Sequence, residues 1–231
     1  MKNILNLIKY NNYIKRNNNI ASIVFGIISL IAIASLSCIN IAGFSLSIVA
    51  VPIVGVALLI NFIDSIIYFA KSFNKENARW EFLFPIKGVE YLLAKYIEFI
   101  IFQFGFTTIV VLMIFAGNGF VLEVENVALI CYAIAFAMTS GYIVVTSVIS
   151  IVSSYVDKIA LRLIISIIGI ILFSAISDFF ESIVNWIFPY LYVNINGTIT
   201  IGIFETIISI ALTIGLVIVA MKHIDSSLEI K

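Results

Sequence analysis

The chain has 231 residues, of which 62% are hydrophobic and only 11% charged, and its mean hydropathy is +1.18. An ordinary soluble domain is about 45–50% apolar and about 25% charged, so this chain lacks the polar side chains needed to cover a water-facing surface, which excludes a soluble enzyme and a disordered chain alike. Its 13 basic and 13 acidic residues cancel, which gives no reason to expect a nucleic-acid partner; two cysteines cannot build a disulfide framework, and His223, the one histidine, cannot supply a multi-histidine metal site.

In the leader, residues 1–19, Ile4, Leu7 and Ile8 recur at helical spacing beside Lys2 and Lys9. This predicts a short amphipathic helix on the membrane surface, ending near Tyr10. A membrane-spanning helix needs roughly 20 apolar residues. Six stretches are predicted to span: 20–39, 44–69, 92–116, 127–152, 161–176 and 199–221. The first of them and its polar leader are too long for a cleaved signal peptide.

Lys and Arg set the orientation, because cytoplasmic loops retain them. They fall before the first span (Lys2, Lys9, Lys15, Arg16), between the second and third (Lys71, Lys75, Arg79, Lys87, Lys95), between the fourth and fifth (Lys158, Arg162) and after the sixth (Lys222, Lys231). Six spans put all of these on one side together with both termini, which are therefore expected in the cytoplasm. The opposite loops hold Glu123, Glu125, Asp178 and Glu181 and no basic residue. Five or seven spans would scatter the basic residues over both sides.

The loop over residues 71–91 is the most polar stretch, yet it is studded with aromatics. A short helix is predicted from Asn74, a plausible cap, to Phe84, before Pro85 ends it. Trp80, Leu83 and Phe84 share a face, and Glu76 and Arg79 can pair one turn apart. Large aromatics set among charges suit docking to a protein partner.

Further along, Ala133, Ala137 and Gly141 form a row of small residues that would let another helix approach. The hydroxyls of Ser147, Ser150, Ser153 and Ser154 are read as bonds between helices. Residues 178–192 place Asp178, Glu181, Ser182 and Asn185 opposite a wide apolar face that includes Phe179, Ile183 and Trp186. That pattern predicts a separate amphipathic or re-entrant helix on the outer side, ended by Pro189 before a turn at Gly197; a simple extension of the fifth span is the alternative. Among polar residues within the spans, Asn61, Gln103 and Glu205 are candidates to line a pathway. Asp64 and Glu98 lie nearer the ends, and Lys95 can pair with Glu98. No catalytic or metal-ligating constellation is present.

The order Glu76, Arg79, Glu81, Leu83, Pro85-Ile86, Glu90, Leu92-Leu93 and Lys95 resembles the coupling loop of the transmembrane subunits of type-2 ATP-binding cassette (ABC) exporters. The resemblance covers roughly 20 residues of motif, and extends to the six spans, the cytoplasmic termini, the amphipathic leader and the outer helix. Trp80 and Lys87 depart from the commoner small or hydroxyl residues at their places. The resemblance implies one permease domain over residues 1–231, all-α, whose coupling helix docks on a separate ABC ATPase through Glu76, Arg79, Trp80, Glu81, Leu83 and Phe84. It also implies a second permease subunit, and ATP and Mg carried by the ATPase. No G-x-x-x-x-G-K-S/T phosphate loop occurs in this chain, so it is not expected to be the enzyme.

The expected function is therefore the permease part of an ATP-driven exporter in a bacterial plasma membrane. Acidic outer loops and apolar walls favour an amphipathic cargo, a membrane-active or antimicrobial peptide moved for export or immunity, as in the resembling exporters of phenol-soluble-modulin type. Two alternatives stand beside it. One is a secondary transporter or channel, and the other is a membrane anchor for a cytoplasmic partner.

Overall fold

The computed structural model describes residues 4–9, 24, 26–31, 46–73, 87–118, 122–156, 158–188, 192–195 and 199–229. Among the described residues, five long helices carry the fold: α1 (Leu46–Ser72), α2 (Gly88–Asn118), α3 (Leu122–Ser153), α4 (Ile159–Ile187) and α5 (Ile203–Glu229). Strands β1 (Tyr192–Ile195) and β2 (Ile199–Gly202) form an antiparallel hairpin between α4 and α5. The helices are rich in Ile and Val, which are mediocre helix formers in water. In an apolar solvent each backbone N–H needs a partner within the segment, and that requirement overrides propensity. The shortest helix has 27 residues, which at a rise of 1.5 Å per residue is about 40 Å, against a hydrocarbon core of about 30 Å. All five are long and apolar enough to cross a membrane.

Residues 4–9 are helical, with Leu7 buried and Leu5, Asn6 and Lys9 exposed. Of the expected first span, residues 24 and 26–31 are helical; its remainder lies outside the described residues. The third and fourth expected spans fall within α2 and α3, which reach a little further at both ends; the second, 44–69, matches α1 from Leu46 and α1 continues to Ser72, while residues 44–45 lie outside the described residues.

The chain divides into two compact units, Met1–Phe69 with Val89–Tyr142, and Ala70–Gly88 with Ile143–Lys231. In the first, α1 and α2 run antiparallel. Phe62 meets Phe99 edge-on at 6.3 Å between ring centroids, Phe69 meets Tyr91 at 6.1 Å, and Gln103 reaches the carbonyl of Leu58. α2 and α3 are antiparallel in the same way. Phe99 stacks on Tyr142 at 4.0 Å, while Tyr132 meets the ring of Phe104 and the hydroxyl of Thr108. The core between them is built from Val54, Ala57 and Leu58, from Phe106, Val110, Val111 and Ile114, and from Val127, Cys131 and Ala135. These positions recur every three or four residues, so each helix turns one face inward.

In the second unit α4 and α5 are antiparallel. Phe188 stacks on Phe204 at 4.7 Å where α4 ends and α5 begins, and Tyr155, just before α4, meets His223 near the end of α5. The buried positions of α4 are Arg162, Ser166 and Ser177, with Gly169 half-buried among them, while Ile164, Ile167, Ile171, Leu172 and Phe179 are exposed. The polar stripe thus faces protein and the apolar surface faces outward, the reverse of a soluble helix. At Gly169 α4 packs tightly on α3: a Cβ there would lie 2.9 Å from Cγ1 of Val148.

Several expectations need correction. The fifth span does not stop at residue 176 before a separate amphipathic or re-entrant helix over 178–192. α4 runs unbroken from Ile159 to Ile187. Asp178, Glu181 and Ser182 change the depth a helix prefers without interrupting its backbone bonds, and no Gly or Pro falls between Gly169 and Pro189. The last span begins at Ile203 rather than 199, because Ile199–Gly202 pairs with Tyr192–Ile195 as a strand, so the chain is not purely helical. Ser150, Ser153 and Ser154 donate to carbonyls one turn back in α3 and its C-terminal turn, which is intrahelical bonding and not the cross-helix bonding expected. Ala133 and Ala137 are exposed, so the row of small residues is not a seam of the core, whose α3 positions are Val127, Cys131 and Ala135; a seam between subunits, the other form of that expectation, is compatible with the exposure.

Gly169→Ala should therefore destabilise the fold by about 1–3 kcal/mol through overpacking against the stiff Val148. Gly215→Ala meets nothing within 4 Å and should be neutral or slightly stabilising, since Ala is the better helix former. Denaturant titration of both variants in mixed micelles checks the contrast, and equal effects would refute it.

Candidate functional site

The six residues expected to dock an ATPase, Glu76, Arg79, Trp80, Glu81, Leu83 and Phe84, lie outside the described residues. Both ends of their segment are described, and each is held by a charged side chain from elsewhere in the second unit. At the start is Ala70, whose carbonyl is among the last four of α1, which have no partner within the helix. Arg162 Nη1 donates to it at 3.2 Å. The same guanidinium donates twice to the carbonyl of Val156, from Nε at 3.2 Å and from Nη2 at 3.0 Å. Val156 N–H itself closes the last turn after α3, onto Val152 O. Arg162 is only 2% exposed. A buried guanidinium is tolerable because its planar fork of donors meets carbonyls at the negative ends of two helix dipoles.

At the far end is Gly88, the first residue of α2. Its N–H donates to Asp225 Oδ1 of α5 at 2.6 Å. A carboxylate is favoured at the amide end of a helix, where the dipole is positive. The approach requires glycine: a Cβ on Gly88 would lie 2.8 Å from the Met221 carbonyl oxygen and 3.0 Å from Cβ of Ile224. Within α2, Leu92 and Lys95, the tail of the sequence motif, are buried, while Leu93 is exposed. The Lys95 ammonium sits over the Tyr68 ring at 4.4 Å and near Tyr91 at 5.4 Å, an aromatic setting that suits a buried cation.

The three residues expected along a pathway take different roles. Asn61 is 1% exposed in the first unit, and neither its Nδ2 nor its Oδ1 has a hydrogen-bond partner among the described residues. Gln103 is fully buried; its Nε2 donates to Leu58 O at 3.4 Å, and its Oε1 is unpartnered. Asp64 Oδ2, one turn beyond Asn61, is also buried and unpartnered. Glu205 lies elsewhere, in the second unit. It sits in the first turn of α5, where Asn185 Nδ2 donates to its Oε1. Its carboxylate folds back over Gly202, at which a Cβ would meet Oε2 at 2.5 Å. Glu205 thus ties the end of α4 to the start of α5.

The residues whose role the sequence does not reveal are Arg162 and Asp225; Gly88 is legible as the turn into the third span, but not as the partner of Asp225. In sequence Arg162 marks only the orientation. Its signal was its place at the head of the stripe Arg162, Ser166, Gly169, which is the inward face of α4. Nothing local to Asp225 marks it, because its partner lies 137 residues away.

Five apolar helices of spanning length place the chain in the class of multi-pass helical membrane proteins. It matches no family model, no curated protein and no solved structure.

The unpartnered amide of Asn61 has a stability cost. Asn61→Leu, which removes the polar group at similar volume, should stabilise the fold by about 1–3 kcal/mol, read as a raised melting temperature in detergent. An unchanged or lowered value would show that the amide is satisfied in the membrane.

Proposed function

We propose that the chain is the membrane-spanning subunit of an ATP-driven ABC exporter, with six spans and both termini in the cytoplasm. The observation that carries this reading is the segment of residues 74–86. It is charged, rich in aromatics, set between two long apolar helices, and ordered like the coupling loop of such permeases. The segregation of charge supports the orientation. In the second unit Lys158, Arg162 and Lys222 lie at one end of the α4–α5 pair, and Asp178, Glu181 and Glu205 at the other. The leader lies along the cytoplasmic surface, a second permease subunit completes the pathway, and the ATP chemistry belongs to the partner ATPase. Closure of that ATPase switches the bundle between access states.

Replacing Arg79 and Trp80 together with Ala should lower ATPase co-purification or the transport obtained per ATP hydrolysed. Normal ATPase binding and normal transport in that variant would overturn the reading. For cargo, the basic-free outer end and the apolar exterior favour an amphipathic, membrane-active peptide. Loss of the chain should sensitise its host to such a peptide or reduce the peptide's secretion, measured as an inhibitory concentration and an export assay. Unchanged tolerance together with unchanged secretion would remove peptides from consideration.

The buried amide of Asn61 and the buried Oε1 of Gln103, unpartnered among the described residues, favour one second reading, a secondary transporter whose polar groups bind cargo within the bundle. Gradient-driven uptake into liposomes that contain this chain and no ATPase separates the two.

A further inference from the structure

The described flanks of the 74–86 segment are not free ends. At one, α1 terminates in a carbonyl bonded to Arg162; at the other, α2 starts with an N–H bonded to Asp225. The two contacts are complementary in sign. A cation meets the carbonyl end of the helix entering the segment, and an anion meets the amide end of the helix leaving it. Each clamp leads to a different element. Arg162 also holds Val156, so the first links the end of α1 to the α3–α4 connection and to α4 itself. Asp225 is on α5, so the second links the start of α2 to the last helix.

We infer that Arg162 and Asp225 are the positioning residues through which movement of the 74–86 segment reaches α4 and α5. The inference rests on the coupling reading above and adds the route that the reading lacks. A segment anchored only through its own chain would move α1 and α2 alone. Both roots, Ala70 and Gly88, belong to the second unit and are bonded within it to Arg162 and Asp225, so a load on the segment also acts on the α3–α4 connection and on the C-terminal part of α5. Three features make these bonds stiff. Arg162 is 2% exposed, so water does not compete for its donors. Its fork reaches two carbonyls at once, which a lysine ammonium cannot reproduce with the same geometry. Gly88 is packed so closely on Met221 and Ile224 that its N–H has little room to turn away from Asp225.

The test uses the full chain, with its two cysteines replaced by Ala and spin labels at Lys158→Cys and Lys222→Cys. Both positions are exposed and both lie outside the 74–86 segment. The complex with its ATPase, in lipid nanodiscs, is measured without nucleotide and with ATP plus vanadate. The parent should show a nucleotide-dependent change in label distance. Arg162→Ala and Asp225→Ala should retain the ATPase and continue to hydrolyse ATP, yet lose that change. Asp225→Asn keeps an acceptor oxygen for Gly88 N–H and should restore it. A merely structural role would reduce yield and ATPase retention together, with no selective loss of the distance change. If Arg162→Ala fails to fold, the Asp225→Ala and Asp225→Asn pair decides alone. A full nucleotide response in Asp225→Ala, or no recovery in Asp225→Asn, overturns the inference and leaves the coupling reading standing. A parent chain that retains no ATPase overturns both, and that result appears before any variant is made.

Discussion

The structure depends on one constraint: a polar backbone in an apolar solvent must satisfy itself. Inside a helix the i→i−4 ladder does so, and for that reason the long Ile- and Val-rich runs are helices although neither residue favours that state in water. The ladder fails at the ends, where four N–H groups and four C=O groups have no partner. The end of α1 meets Arg162, the start of α2 meets Asp225, and the carbonyl of Val156 after α3 meets Arg162 again. The first turn of α5 carries Glu205. In each case the sign of the side chain opposes the sign of the helix end. Arg162, Asp225 and Glu205 thus sit where helices begin or stop.

The same solvent inverts the pattern of the helix faces. A water-soluble helix hides its apolar stripe; α4 hides Arg162, Ser166 and Ser177 and exposes isoleucines. Burial of hydrophobic area cannot hold such helices together, because lipid is as apolar as the side chains. Association falls to close packing and directional contacts. In the first unit those contacts are aromatic: Phe62 on Phe99, Phe99 on Tyr142, Lys95 over Tyr68. In the second unit close approach is set by Gly169 against Val148 and by Gly88 against Met221.

Much of this was legible in the sequence, because apolar run length reports helix length almost directly. In the leader, residues 4–9 are helical as the periodicity predicts, with Leu7 buried. The errors share a cause. The break expected near Asp178 took a change in polarity for a change in backbone, yet polarity decides which solvent a turn prefers and leaves its hydrogen bonds alone. The serines of α3 were assigned to neighbouring helices because composition cannot tell whether a hydroxyl bonds outward or to its own preceding turn. The hairpin at 192–202 hides in a run of β-branched residues that also suits a membrane helix. Arg162 and Asp225 were visible as charges but not as partners, since their acceptor and donor are backbone atoms, 92 and 137 residues away, that carry no sequence signature.

Asn61 and Gln103 pose the opposite problem. The helix-end charges are placed where they stabilise, whereas these amides sit at 1% and 0% exposure with three unpartnered atoms between them. Each buried polar atom without a partner costs about 1–3 kcal/mol, and a leucine at either site would avoid that cost. A bundle selected for stability alone would not keep them. They make this packing of α1 against α2 costlier than an apolar one would be, so an arrangement that hydrates these groups or pairs them with another polar group gains that energy back. The first unit thus keeps a polar cost within its packing, while the second holds its helix ends by matched charges.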